Sequence, residues 1–150
     1  MSALDAGSKA PAIPGVDFGT GPLAVFFYKV TCPVCQMAAP KVQRFEAGYP
    51  GRIVGIGQDP QEKLAAFGNQ FEMTFPSLVD APPYDVSNVY GIEVVPTTFL
   101  VDTAGTILDA VESWDREGLN RISERLADLT GNPYAEISSN SDGLPIFRPG

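Results

Sequence analysis

The chain has 150 residues, 44% apolar and 19% charged, which suits one globular domain and excludes a disordered or fibrous protein. Its net charge of −8, with only ten Lys and Arg that never form a block, argues against nucleic acid as a partner, because phosphate binding needs clustered cations. There is no histidine, so serine-triad, cysteine–histidine and most zinc-hydrolase chemistries drop out together, and cysteine is left to carry whatever chemistry exists.

The first 22 residues, rich in Gly, Pro, Ala and Ser, read as an irregular lead-in with a short edge strand at most. They lack the basic and apolar regions of a signal peptide, and no apolar run anywhere reaches the roughly 18 residues of a membrane span. A cytoplasmic protein without a membrane span is therefore expected for the chain as given, and a periplasmic or extracytoplasmic one if a signal peptide has been removed. Leu23-Ala24-Val25-Phe26-Phe27-Tyr28 reads as a buried strand. From Pro33 to about Gly48, Val34, Met37, Ala38, Val42 and Phe45 recur at helical spacing.

Between strand and helix lie the only cysteines, in Thr31-Cys32-Pro33-Val34-Cys35. Cys32 falls at the helix start, where unpaired amides and the positive end of the helix dipole favour an anion such as a thiolate. Cys35, one turn further in, gains less from those amides and is expected to be buried. The asymmetry assigns attack on a disulfide to Cys32 and resolution of the mixed disulfide to Cys35. Three plainer readings compete. A structural disulfide closing so short a loop would stabilise weakly. Half a zinc site would need a symmetric dimer to supply four ligands, so no metal is expected. Two cysteines packed as small hydrophobes would have no need of a helix start.

Farther along, Arg52–Gly57 reads as a second core strand whose glycines imply close packing. Asp59-Pro60 reads as the cap and first residue of a second helix running to about Phe71. Thr74–Val79 is a short extended segment, and a brief helix over Asp85–Tyr90 stops at Gly91. Val94–Asp102 and Thr106–Val111 form a hairpin about Ala104-Gly105. Ser113 or Asp115 caps a last helix with Leu119, Ile122, Leu126 and Leu129 on its buried stripe and Gly131 at its end. Trp114 is read as a packing residue. Residues 132–150 are expected to form a tail pinned by Ile146 and Phe147. This order implies an α/β fold whose central mixed sheet carries helices on both faces, with the cysteines at the carboxyl end of a parallel strand.

The run from Phe27 to Pro40, including Cys32-Pro33-Val34-Cys35 and a proline five residues after the second cysteine, resembles the thioredoxin superfamily active site. Tyr90–Gly105 is similar to the family's second hallmark, in which Val95-Pro96 before Thr97 would be cis. The inserted helix, Phe75–Asp80 and Gly7-Ser8-Lys9-Ala10-Pro11 resemble the TlpA-like and redoxin group. The resemblance implies a thioredoxin-like three-layer sandwich as a single domain, with its core over about residues 8–131. It also implies a thiol-disulfide oxidoreductase with a redox-active Cys32–Cys35 disulfide and no other cofactor, acting on protein thiols or disulfides. An upstream electron donor would reload it, and a monomer is expected.

Thr31, Pro33 and Val34 would shape the site and its potential, while the Val95 backbone, held by Pro96 and followed by Thr97, would pair with an extended substrate over Cys32. Three positions depart from the family pattern. Phe26 stands where a buried Asp is usual, Ala38 stands where many TlpA-like proteins carry Glu, and Thr31 replaces a common Trp. Cys35 therefore needs another base, such as Glu93, a different carboxylate or water. Lys29 is read as a solvated surface residue. Two rival functions are a thiol peroxidase, disfavoured by Lys29 where peroxiredoxins place Thr or Ser, and a non-catalytic binding module that keeps only the fold.

Overall fold

In a computed structural model that describes residues 2–150, five strands form one sheet in the order β3-β2-β1-β4-β5. β1 (Leu23–Tyr28) lies at its centre, as the unbroken apolar run requires of a strand buried on both faces. It pairs in parallel with β2 (Ile53–Gly57), which pairs in parallel with β3 (Ser77–Val79). On its other side it runs antiparallel to β4 (Thr97–Val101), which forms the expected hairpin with β5 (Ile107–Glu112).

Alternation along β1 feeds two cores. Ala24, Phe26 and Tyr28 point to a layer built by α1 (Pro33–Gly48), α2 (Gln61–Gln70) and α4 (Arg116–Thr130), where Phe45, Phe67 and Leu126 are buried. Val25 and Phe27 point the other way, among Tyr90, Phe99 and Ile107. That second face carries only the five-residue α3 (Asp85–Val89); the lead-in covers the rest, burying Ala3, Ala10 and Ile13. The anticipated edge strand in the lead-in is reduced to a single antiparallel bridge between Lys9 and Thr106. The β2 glycines do admit close neighbours, since a Cβ on Gly57 would lie 2.3 Å from the Leu64 side chain.

Three local expectations are corrected. Leu129, placed on the buried stripe of α4, is exposed. Asp59 does not cap α2. Pro60 takes that position without a side-chain bond, and the Asp59 carboxylate turns to the strand-to-helix loop instead. Nor do Ile146 and Phe147 pin the last segment, for both side chains are exposed. It is held by buried Ile137 and Ser138, by the buried Arg116 guanidinium, and by pairing of β7 (Phe147–Arg148) with β6 (Trp114–Asp115). Trp114 is fully buried and donates from its indole nitrogen to the Pro145 carbonyl at 2.7 Å. Asp115, one of the two anticipated caps, accepts from the Gly118 amide at 3.1 Å, and α4 ends at Gly131 with φ +72°. None of the helices among the described residues is long and apolar enough to cross a membrane.

Candidate active site at the start of α1

β1 ends at Tyr28 and the chain turns through Lys29–Thr31 into α1, whose N-cap is Cys32. A cap residue has extended backbone and offers a side-chain acceptor to the orphan amides of the first turn. Here that acceptor is sulfur. Cys32 has φ −81° and ψ 116°, and its Sγ accepts from the Cys35 amide at 3.1 Å. The same Sγ lies 3.4 Å from the Val95 carbonyl, to which the thiol proton is donated. Proline at the first helical position gives up an amide the helix would not have used.

The two sulfurs differ as the helix geometry demands. Both are free thiols; Cys32 is half-buried and Cys35 has no exposed surface. Burial, foremost, pushes the Cys35 thiol well above its ordinary range; the hydrogen bond it shares with Cys32 adds to this, and the negative charge of Asp59 acts in the same direction.

Of the other residues singled out from sequence, Thr31 and Pro33 lie exposed at the rim, whereas Val34 is buried and packs inward. Val95-Pro96 is a cis peptide beside Cys32. Thr97 is buried and donates its hydroxyl to the Val94 carbonyl at 2.8 Å, fixing that turn from behind. Phe26 and Ala38, which replace the family's carboxylates, are buried among apolar neighbours. Glu93 is exposed in a groove it shares with Lys29, Gln58 and Val95.

The carboxylate the sequence reading missed is Asp59. Only 8% exposed, it accepts from the Val30 amide at 2.9 Å, so it braces the loop that delivers Cys32. Gln36 braces the same loop from the helix side, donating to the Val30 carbonyl at 2.9 Å. Asp59 also acts electrostatically on Cys35 and on the buried Tyr28 hydroxyl. Its place just past the end of β2, the strand parallel to β1, was the available signal. A polar residue there faces the carboxyl end of the sheet, where sites in such folds gather.

The chain matches the AhpC/TSA family over residues 15–110. It is 29% identical over 86 residues to the thiol-disulfide oxidoreductase ResA of Geobacillus thermodenitrificans, covering 54% of this chain and 48% of that protein. The chain thus spans about half the length of the ResA relative it matches. Among solved structures, a putative thiol:disulfide interchange protein DsbE from Chlorobium tepidum superposes with a TM-score of 0.72 at 23% identity, over 85% of this chain and 99% of the other. Peroxidoxin BcpB from Mycobacterium tuberculosis gives a TM-score of 0.65 at 24% identity, over 85% and 97%. At these identities the two structures speak to the fold, which is thioredoxin-like.

Proposed function

Because the chain belongs to the AhpC/TSA family, we propose that it works as a thiol-disulfide oxidoreductase that reduces protein disulfides through the Cys32–Cys35 pair. One observation carries this reading: the sulfur of half-buried Cys32 accepts a hydrogen bond from a helix-opening amide at 3.1 Å while a second, buried sulfur stands one turn behind it. The Cys32 thiolate attacks one sulfur of a substrate disulfide; a Cys32–substrate bond forms and the other substrate sulfur leaves as a thiolate. Cys35 then gives up its proton to water or to the departing substrate thiolate and attacks Cys32 Sγ; the Cys32–substrate bond breaks, the Cys32–Cys35 disulfide forms and the second substrate thiolate is released. Two electrons have passed to the substrate, and a dithiol donor returns them to the pair. An extended substrate pairs with the Val95 backbone, which Pro96 and Thr97 hold in place, while Thr31 and Pro33 form the exposed rim it crosses.

Asp59 keeps the loop in register through the Val30 amide, and its charge disfavours a thiolate at Cys35, so it does not take the place of the missing family carboxylates as a base. The test is reduction of a protein disulfide with dithiothreitol as donor. Turnover that vanishes in Cys32→Ser is expected, and so is a trapped mixed disulfide when Cys35→Ser meets the substrate without dithiothreitol. Rapid consumption of hydrogen peroxide dependent on Cys32, with no disulfide turnover, would replace this reading with a peroxidase.

A further inference from the structure

At Gly150 the segment after α4 lies against the same carbonyl that Cys32 Sγ touches. It runs antiparallel to β6, with Arg148 opposite Trp114 and Phe147 opposite Asp115, and the Ile146 carbonyl accepts from the Arg116 amide at 3.0 Å. Beyond that pairing, the Gly150 amide donates to Ser113 Oγ at 3.0 Å. Ser113 is itself bound to the proline loop, its amide donating to the Pro96 carbonyl at 2.8 Å. Gly150 lies so close to that loop that a Cβ on it would meet the Val95 carbonyl oxygen at 2.2 Å and the carbonyl carbon at 2.8 Å. Cys32 Sγ approaches that oxygen from its own side at 3.4 Å. The chain therefore covers part of the backbone edge that an extended substrate would need.

How firmly the segment is held changes along its length. Residues 138–144 are fastened by the buried Arg116 guanidinium, which donates to Ser138 Oγ, Asn140 Oδ1, Asp142 Oδ1 and the Leu144 carbonyl. Residues 146–150 are not. Ile146 and Phe147 are 54% and 52% exposed, so this stretch is held by short pairing and a few hydrogen bonds and buries little apolar surface. Segments of that kind open at low free-energy cost while the body stays folded.

Resting on the oxidoreductase reading, we propose that Ile146–Gly150 is a hinged strap that occupies the peptide-docking edge beside Val95-Pro96, so that an extended disulfide substrate reaches Cys32 only when the strap swings out. Small reagents reach half-buried Cys32 without that opening. The strap thus selects against bulky, chain-like disulfides until it is displaced, and Gly150 is the residue that lets it seat, since any side chain would strike backbone that cannot yield.

The test compares the reduced wild-type protein with Gly150→Ala and with a variant lacking residues 147–150. Each is reacted with iodoacetamide and, separately, with an extended peptide whose single cysteine carries a chromophoric mixed disulfide. A competent state populated at about a tenth or less scales the peptide rate by that fraction, so both variants are expected to gain about tenfold or more with the peptide. Their iodoacetamide rates should stay within about twofold of wild type, since that reagent needs no opening. If the deletion unfolds, as Trp114 fluorescence would reveal, Gly150→Ala alone decides. Peptide rates equal in all proteins, or both rates rising together, overturn the strap. A wild-type protein that alkylates yet reduces no disulfide, with variants equally inert, overturns the parent reading and the strap with it.

Discussion

Two helix starts in this molecule are capped in nearly the same way and do different things. At α4 the Asp115 carboxylate accepts from Gly118 N at 3.1 Å; at α1 the Cys32 sulfur accepts from Cys35 N at 3.1 Å. The geometry is shared and the acceptor differs. At α4 the carboxylate serves as an ordinary N-cap that stabilises the helix start. A sulfur in the same place accepts the same kind of amide hydrogen bond, and under the proposed function it is also the nucleophile. The first turn beyond the cap differs too, for α4 presents Gly118 there, while α1 presents a second, buried sulfur.

The largest effect should come from separating the two roles of Cys32. Serine is among the best N-cap residues, so Cys32→Ser should lose all disulfide turnover while its melting temperature stays close to wild type. A large fall in stability would show that the sulfur is held for packing. The reciprocal change, Asp115→Ala, should cost about 1 kcal/mol in denaturant unfolding and leave Cys32 alkylation unchanged. A variant that alters alkylation instead would mean the two caps are not independent.

Asp59 allows a finer separation. Asp59→Asn keeps an acceptor for the Val30 amide and removes the charge, whereas Asp59→Ala removes both. The Asn variant should fold like wild type but show resolution of the mixed disulfide at lower pH, because one influence that holds the Cys35 proton has gone. In wild type, resolution should quicken steadily as pH rises, since burial keeps Cys35 protonated well above the ordinary thiol range. Stopped-flow release of the second substrate thiol checks both. The smallest effect concerns the strap's anchor. Bonds from Ser138 and Leu144 and the ion pair with Lys41 hold Asp142 well below the usual carboxylate range. Its contribution is therefore full above that range and is lost as pH falls through the lowered value. Asp142→Asn should remove this acid sensitivity from unfolding curves.

What could be read from sequence was local in kind. The apolar run of β1, the stripe of α1, the β4–β5 hairpin and the cysteine pair at the helix start each declare themselves within a dozen residues. So did Asp115, named as one of two possible caps. What escaped depends on distant partners. Asp59 looks like a helix cap in its own neighbourhood, yet it bonds Val30, 29 residues away. Arg116 reads as an ordinary charged residue of a helix start until residues 138–144 fold over it. Ile146 and Phe147 looked like anchors because they are the last large apolar side chains, but backbone pairing with β6 holds their segment and leaves both exposed. Polar contacts across long sequence separations leave no periodic trace.

The most direct measurement is the rate of Cys32 alkylation by iodoacetamide at pH 7 in the Cys35→Ser variant, folded and again in urea. If the helix-opening amides hold negative charge on an accessible sulfur, the folded protein reacts faster than the unfolded chain. A folded protein that reacts no faster, or more slowly, contradicts that role for the amides.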